Sequence, residues 1–235
     1  MRAAIVGLSG ATLVLLGCVS LPEGEPRTET KSIGRGEAEM VRAEIEMKAG
    51  ELKIRGGAAQ LLDATFHYDD HWQPEVRYDL TGFRGNLVVR QPKVTRNIGR
   101  VGDFRHEWDL RLNNDVPLDL NVTVGAGKSV LELGALYLRG LEIHLGVGEL
   151  ELDLTGKWRK DLEARIRGGV GQATVRLPRD VGVRAHVRGG IGEIKAAGFH
   201  RSGDTYTNDA FEHSPVTLRL DIQGGIGEIR LELAG

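Results

Sequence analysis

The side chains of this sequence that could do chemistry lie in two short clusters. HYDDHW supplies His67, Asp69, Asp70 and His71, and HEWD supplies His106, Glu107 and Asp109. Imidazoles and carboxylates are common ligands of divalent metals, and a site needs three or four of them to converge. In an extended chain residues 67, 69 and 71 share one face. His67, Asp69 and His71 are therefore the metal candidates, and HEWD could join them. No second cluster stands at a diagnostic spacing, and exposed polar residues at a strand end are the commoner case. The expectation is no metal and no cofactor. The sequence has no HExxH, no GxSxG and no glycine loop followed by Lys-Ser/Thr, so no catalytic residue is assigned. KWRK (157–160) is either a solvated turn or a contact for anionic lipid or polymer.

The elements that must position these residues are built from a repeat. In IHLGVGELELDL (143–154) apolar residues alternate at Ile143, Leu145 and Val147, slip by one, and resume at Leu150, Leu152 and Leu154. Period-2 alternation describes a strand, and the slip at Gly148-Glu149 describes a corner between two strands facing one core. Copies of the pattern turn at Gly50, Gly127, Gly148, Gly171, Gly192 and Gly227; the last five are spaced 21, 23, 21 and 35 residues apart. A repeat of about twenty residues, strand–corner–strand, predicts a solenoid of stacked coils. The fold class is all-β: a parallel β-solenoid of short coils, expected right-handed, with a strand-rich N-terminal cap.

Stacking places equivalent residues in rows. The row before the corner, Ala49, Ala126, Val147, Val170, Ile191 and Ile226, is expected to face inward. The row before that, Lys48, Gly125, Gly146, Gly169, Gly190 and Gly225, is expected to face outward. Its glycines could leave a bare docking stripe for a partner strand, a glycan or the block 58–116, or could simply be demanded by the tight corner. The row after the corner, Glu51, Lys128, Glu149, Gln172, Glu193 and Glu228, is acidic but interrupted, which favours a solvated face over a cation site. In a further outward row Glu142 and Arg165 should pair across coils.

The chain divides into four parts. Residues 1–17 read as a signal peptide: Arg2, an apolar run, then Leu15-Leu16-Gly17-Cys18. Cys18, the only cysteine, is then a lipidation site, and Val19 after it permits transport to an outer membrane. Residues 18–40 read as a flexible tether. Residues 41–117 form the cap region and include the first repeat. In it Leu62 to Tyr68 and Trp108 to Leu112 alternate as strands, a hairpin turns at TGFRGN, and Pro92 to Gly102 is a basic loop. Residues 118–235 hold the remaining repeats, with an insertion at 199–217 whose aromatics cover the far end. Removing 1–17, whose only charge is Arg2, leaves 30 Lys+Arg against 33 Asp+Glu. That balance gives no electrostatic support for nucleic-acid binding.

EWDLRLNNDVPLDLNVTVGAG (107–127), AGELKIRGG (49–57) and YTNDAFEHSPVTLRLDIQGGIGEIRL (206–231) resemble the bacterial toast-rack family. The resemblance covers nearly all of residues 41–235. It implies a β-solenoid-like envelope domain, often membrane-anchored, and assigns no catalytic residues. The expected function is a non-enzymatic lipoprotein of the cell envelope, anchored through Cys18, that binds or senses an envelope protein or glycan or acts as an adhesin-like module. The rival is a β-solenoid carbohydrate-active enzyme acting on an envelope polysaccharide, which rests on fold analogy alone.

Overall fold

The computed structural model describes residues 26–92 and 106–234, apart from the side chain of Asp70. The expected signal peptide, Cys18 and residues 93–102 of the expected basic loop lie outside the described residues. The described residues form strands joined by turns and short loops, with one short 3₁₀ turn at Asp70–Trp72.

The stack is made of long strands that bend in the middle. They are β2 (Met40–Gly56), β7 (Leu118–Glu132), β8 (Leu138–Asp153) and β9 (Leu162–Pro178). Each runs into one leaf, turns at its corner glycine and returns along a second leaf. Neighbours pair in parallel through both halves, so that Gly50, Gly127, Gly148 and Gly171 form one row. Alternating side chains from both leaves point into one apolar core. In β8 Leu141, Ile143, Leu145, Leu150 and Leu152 are buried, the two-residue period that predicts a strand.

At the N-terminal end the stack changes to antiparallel pairing. β6 (Glu107–Leu112) lies parallel to the second half of β2, and β3 (Leu62–Asp69) lies antiparallel on β6. The hairpin β4 (Glu75–Thr81) and β5 (Arg84–Arg90) adds to the first half of β2. Phe66 and Trp108 meet edge to face at 5.4 Å inside this cap, the preferred geometry for an aromatic pair.

One part of the expected tether is strand. β1 (Pro26–Ile33) pairs antiparallel with β3 along its whole length. Its sequence, PRTETKSI, has almost no apolar side chain, so alternation could not reveal it. Backbone pairing holds it, together with Tyr68 Oη donating to Glu29 at 2.9 Å and Ser32 Oγ donating to Asp63 at 2.6 Å.

At the far end, order in space departs from order in sequence. β10 (Gly182–Arg188) and β11 (Ile191–Ala196) form one coil, β14 (Thr217–Gln223) and β15 (Ile226–Ala234) another. The last coil in the chain sits between β9 and the coil that precedes it. The insertion makes this possible: the short hairpin β12 (His200–Ser202) and β13 (Thr205–Thr207) lies on the outer edge of β10. The chain then turns back to enter the gap. Tyr206 of the hairpin is buried against the core.

Candidate functional site

The metal candidates do not converge. His67 Nδ1 lies 2.9 Å from Thr28 Oγ1 on the face of β3 shared with β1. Asp69 is turned inward and caps the 3₁₀ turn, accepting from His71 N at 3.0 Å and lying 2.8 Å from His71 Nδ1. His106 rests against the Trp72 ring at 5.3 Å; burial pushes its imidazole below the ordinary value, while Asp69 acts the other way. Asp109 pairs with Arg55 at 2.7 Å. Among the described residues no group of His, Cys, Asp or Glu could hold a metal ion. These side chains fasten the cap together.

The corner rows behave differently from expectation, and the difference defines the most unusual surface of the molecule. Each corner glycine has φ between +131° and +148°, a region side chains avoid. The outward glycine row is exposed, as expected, but a Cβ there would not clear the neighbouring coil. A Cβ on Gly146 would stand 2.3 Å from Gly125 O, and one on Gly169 would stand 2.2 Å from Gly146 O. Side chains there would strike the backbone of the adjacent coil, so close coil approach requires these glycines.

The row expected to be inward is exposed as well. Val147 is 53 % exposed, Val170 46 %, Ile226 52 % and Ile191 73 %. The slip of alternation therefore begins before the glycine at the corner rather than after it. The last truly inward residue is Met47 in β2, Val124 in β7 and Leu145 in β8. Ala49 and Ala126 complete the ladder in unbroken register. The result is an apolar ridge along the bend, small at the cap end and bulky at the far end. A contiguous exposed apolar surface of this kind commonly marks an interaction site.

Inside the bend the bulk runs the opposite way. Met47, Val124 and Leu145 give way to Gly168 in β9 and then to Gly224 and Gly189. Ile229 and Ile194 reach toward the last two glycines. At β9 Gly168 and Ala173 line a hollow of about 90 Å³ beneath the ridge.

Beside the ridge the acidic row is neutralised. Lys128 lies 2.7 Å from Glu151 and 3.8 Å from Glu149; Lys195 lies 2.7 Å from Glu228 and 3.3 Å from Glu193. The hydrogen bond to Glu151 raises the Lys128 ammonium above its ordinary value, and the bond to Lys195 lowers the Glu228 carboxyl. Glu142 and Arg165 stand in register, but Glu142 is bound to His144 on its own strand at 3.1 Å.

Two buried amides had no sequence signal. Gln91 ends the cap side of the corner: its Oε1 accepts from Lys48 N at 2.7 Å and Ala49 N at 3.1 Å. Asn208 fastens the hairpin at the far end, accepting from Val183 N at 2.9 Å and donating to Val181 O at 2.8 Å. Each supplies to the chain what a missing neighbouring strand would supply.

A search of solved structures finds a candidate cell adhesion protein from Clostridium sporogenes, 29 % identical with a TM-score of 0.86. The match covers 89 % of this chain and all of that one. A candidate adhesin from Bacteroides fragilis and a candidate lipid-binding protein from Parabacteroides distasonis are 10 % and 12 % identical, with TM-scores of 0.33 and 0.31. Each covers 88 % of this chain and 97 % of its own, and likeness at that level carries no weight. A search of curated proteins finds no match. The family model described as the N-terminal domain of toast_rack matches residues 22–176, about two-thirds of the sequence, and the chain belongs to that family.

Proposed function

We propose that this protein is an exported, lipid-anchored binding module of the cell envelope, adhesin-like in action and without catalytic chemistry. The observation that carries the reading is the ridge Val147, Val170, Ile226 and Ile191, held in register on a stack of paired strands. Leaving branched apolar side chains in water gives up the burial that stabilises a core, roughly 1.5–3 kcal/mol for each when complete. A partner that covers the ridge recovers part of that. The C. sporogenes protein it resembles is a candidate for cell adhesion, which supports the same class of role. Anchoring rests on Leu15-Leu16-Gly17-Cys18. Among the described residues no helix is long and apolar enough to span a membrane. The enzymatic alternative loses its best candidates, because His67 and Asp69 are engaged in holding β1 and the 3₁₀ turn.

The test is crosslinking in the native cell with Val147, Val170, Ile191 and Ile226 changed to Ser. The variant should keep the parent's unfolding midpoint and lose its crosslinked adducts. An unaltered adduct pattern would remove the ridge as the binding surface. Separately, Cys18→Ala should move the protein from the membrane fraction to the soluble envelope fraction; unchanged partitioning would refute the anchor.

A further inference from the structure

The edge of the stack opposite the ridge, where the first-leaf strands begin, carries a groove of different character. It offers about 890 Å³, within the roughly 300–1,000 Å³ typical of ligand sites. Met40, Phe83, Arg84, Tyr137, Arg139 and Lys160 are the lining residues that matter. They come from the start of β2, the β4–β5 turn, the start of β8 and the KWRK loop.

The groove is framed by backbone. Phe83 O accepts from Glu39 N at 2.8 Å and from Met40 N at 3.4 Å, which ties the hairpin tip to β2. Tyr137 O accepts from Leu118 N at 2.9 Å. Arg139 is the extra residue of a bulge: Leu118 pairs with Leu138, but Asp119 pairs with Gly140. This is the register shift in the β7–β8 pairing. Bulges redirect a side chain, and this one presents Arg139 to the groove.

The charges of the groove are not spent on ion pairs. Arg84, Arg139 and Lys160 make no salt bridge among the described residues, whereas Arg42 and Arg219 on the same leaf pair with Glu44 and Asp161. Arg139 Nη1 approaches only Met40 Sδ, at 3.7 Å, and Lys160 Nζ lies 5.6 Å from the Tyr137 ring centre. Glu39 is the one carboxylate in the lining, against these three cations. Phe83 is 63 % exposed at the rim, and Thr81 and Asn86 add a hydroxyl and an amide.

We propose that this groove binds an acidic glycan, with carboxylates held by Arg84, Arg139 and Lys160 and a sugar ring laid against Phe83. The proposal rests on the binding-module reading but uses another surface. Guanidinium groups suit bidentate recognition of such anions, and an exposed ring suits the C–H face of a pyranose. Nucleic-acid binding would call for a longer basic stripe than three side chains.

Affinity electrophoresis of the full chain tests the assignment, with polygalacturonate as the acidic glycan. Dextran, polyphosphate, oligothymidylate and anionic phospholipid vesicles serve as the contrasting probes. Polygalacturonate should retard the protein and dextran should not. The variant Arg84→Ala/Arg139→Ala/Lys160→Ala should lose the retardation. Phe83→Ala, which keeps every charge, should weaken it about tenfold, the size of one lost aromatic contact. The idea fails if the parent ignores polygalacturonate, if polyphosphate, oligothymidylate or vesicles bind as well, or if Phe83→Ala binds as the parent does. Equal loss in the ridge-serine variant would also sink it, by moving the site to the bend. Because partner crosslinking is read at the ridge, a negative result here leaves that measurement standing.

Discussion

The two ends of the stack are closed in opposite ways. At the cap end β6, β3 and β1 extend the second leaf, the hairpin β4–β5 extends the first, and Trp108 and Phe66 fill the space between. At the far end only the first leaf is extended, by β13 and β12 on β10. In the second leaf β11 pairs with β15 and with no other described strand, and Ile194 is only half buried. The repeat itself is nearly the same at both ends. What differs is where the bulk lies: inside the bend at Met47, outside it at Ile191. A repeat thus fixes the backbone while leaving each coil free to choose between core and surface.

Substitutions can break or sharpen that contrast. The largest effect should fall between the ends, at Gly148. A Cβ there would stand 1.9 Å from Gly127 O at a φ of +138°. Gly148→Val should cost more than about 5 kcal/mol and leave little folded protein by circular dichroism. If it folds with a normal midpoint, the bend does not depend on glycine. Next comes the difference between end cores. Trp108→Ala should cost about 3–5 kcal/mol in urea unfolding, and Ile194→Ala about 1 kcal/mol. Equal losses would mean that the far end is as well packed as the cap. The amides should be closer to each other: Gln91→Ala leaves the part-buried Lys48 and Ala49 N–H groups unpaired and Asn208→Ala the buried Val183 N–H, at about 1–3 kcal/mol. Hydrogen exchange should then rise at Lys48 and Ala49 in the first case and at Val183 in the second; the reverse pattern would refute the assignment.

The smallest effect concerns acid. The hydrogen bond from Ser32 holds the Asp63 carboxyl below the usual value, with burial opposing and the Ala59 N–H assisting. Its folded value therefore lies below its unfolded one. The stability it adds is complete above the unfolded value, near pH 4, and is lost as pH falls through the folded value. Below about pH 4 β1 should loosen first, seen as faster exchange of its amides, while the long strands hold. Simultaneous loss of both would contradict a weakly held edge.

How legible this was in the sequence depended on the kind of force involved. The corner glycines could be read because positive φ and close approach restrict the residue type. The cap strands could be read because Leu62, Ala64, Phe66 and Tyr68 alternate. The ridge could not: Val147 continues the alternation of Ile143 and Leu145, and only the bend turns it outward. β1 was hidden because hydrogen bonds rather than apolar contacts hold it. The coil order was hidden because copies with the same pattern fit the same slots, so the sequence of IRGGVGQATVRL does not reveal which copy will lie beside it.

The insertion of β14 and β15 between β9 and the preceding coil bears on how the chain is completed during synthesis and how it tolerates shortening. As the polypeptide emerges, β10 and β11 appear before their proper neighbours exist. The free edge of β9 stays open until residues 217–234 arrive. Until then β10 and β11 must wait unattached or dock on β9 in a slot that is not theirs, and later give it up. A premature stop before Thr217 would therefore leave the edge of β9 either open, and able to borrow a coil from another molecule, or covered by β10 and β11 in a slot that is not theirs.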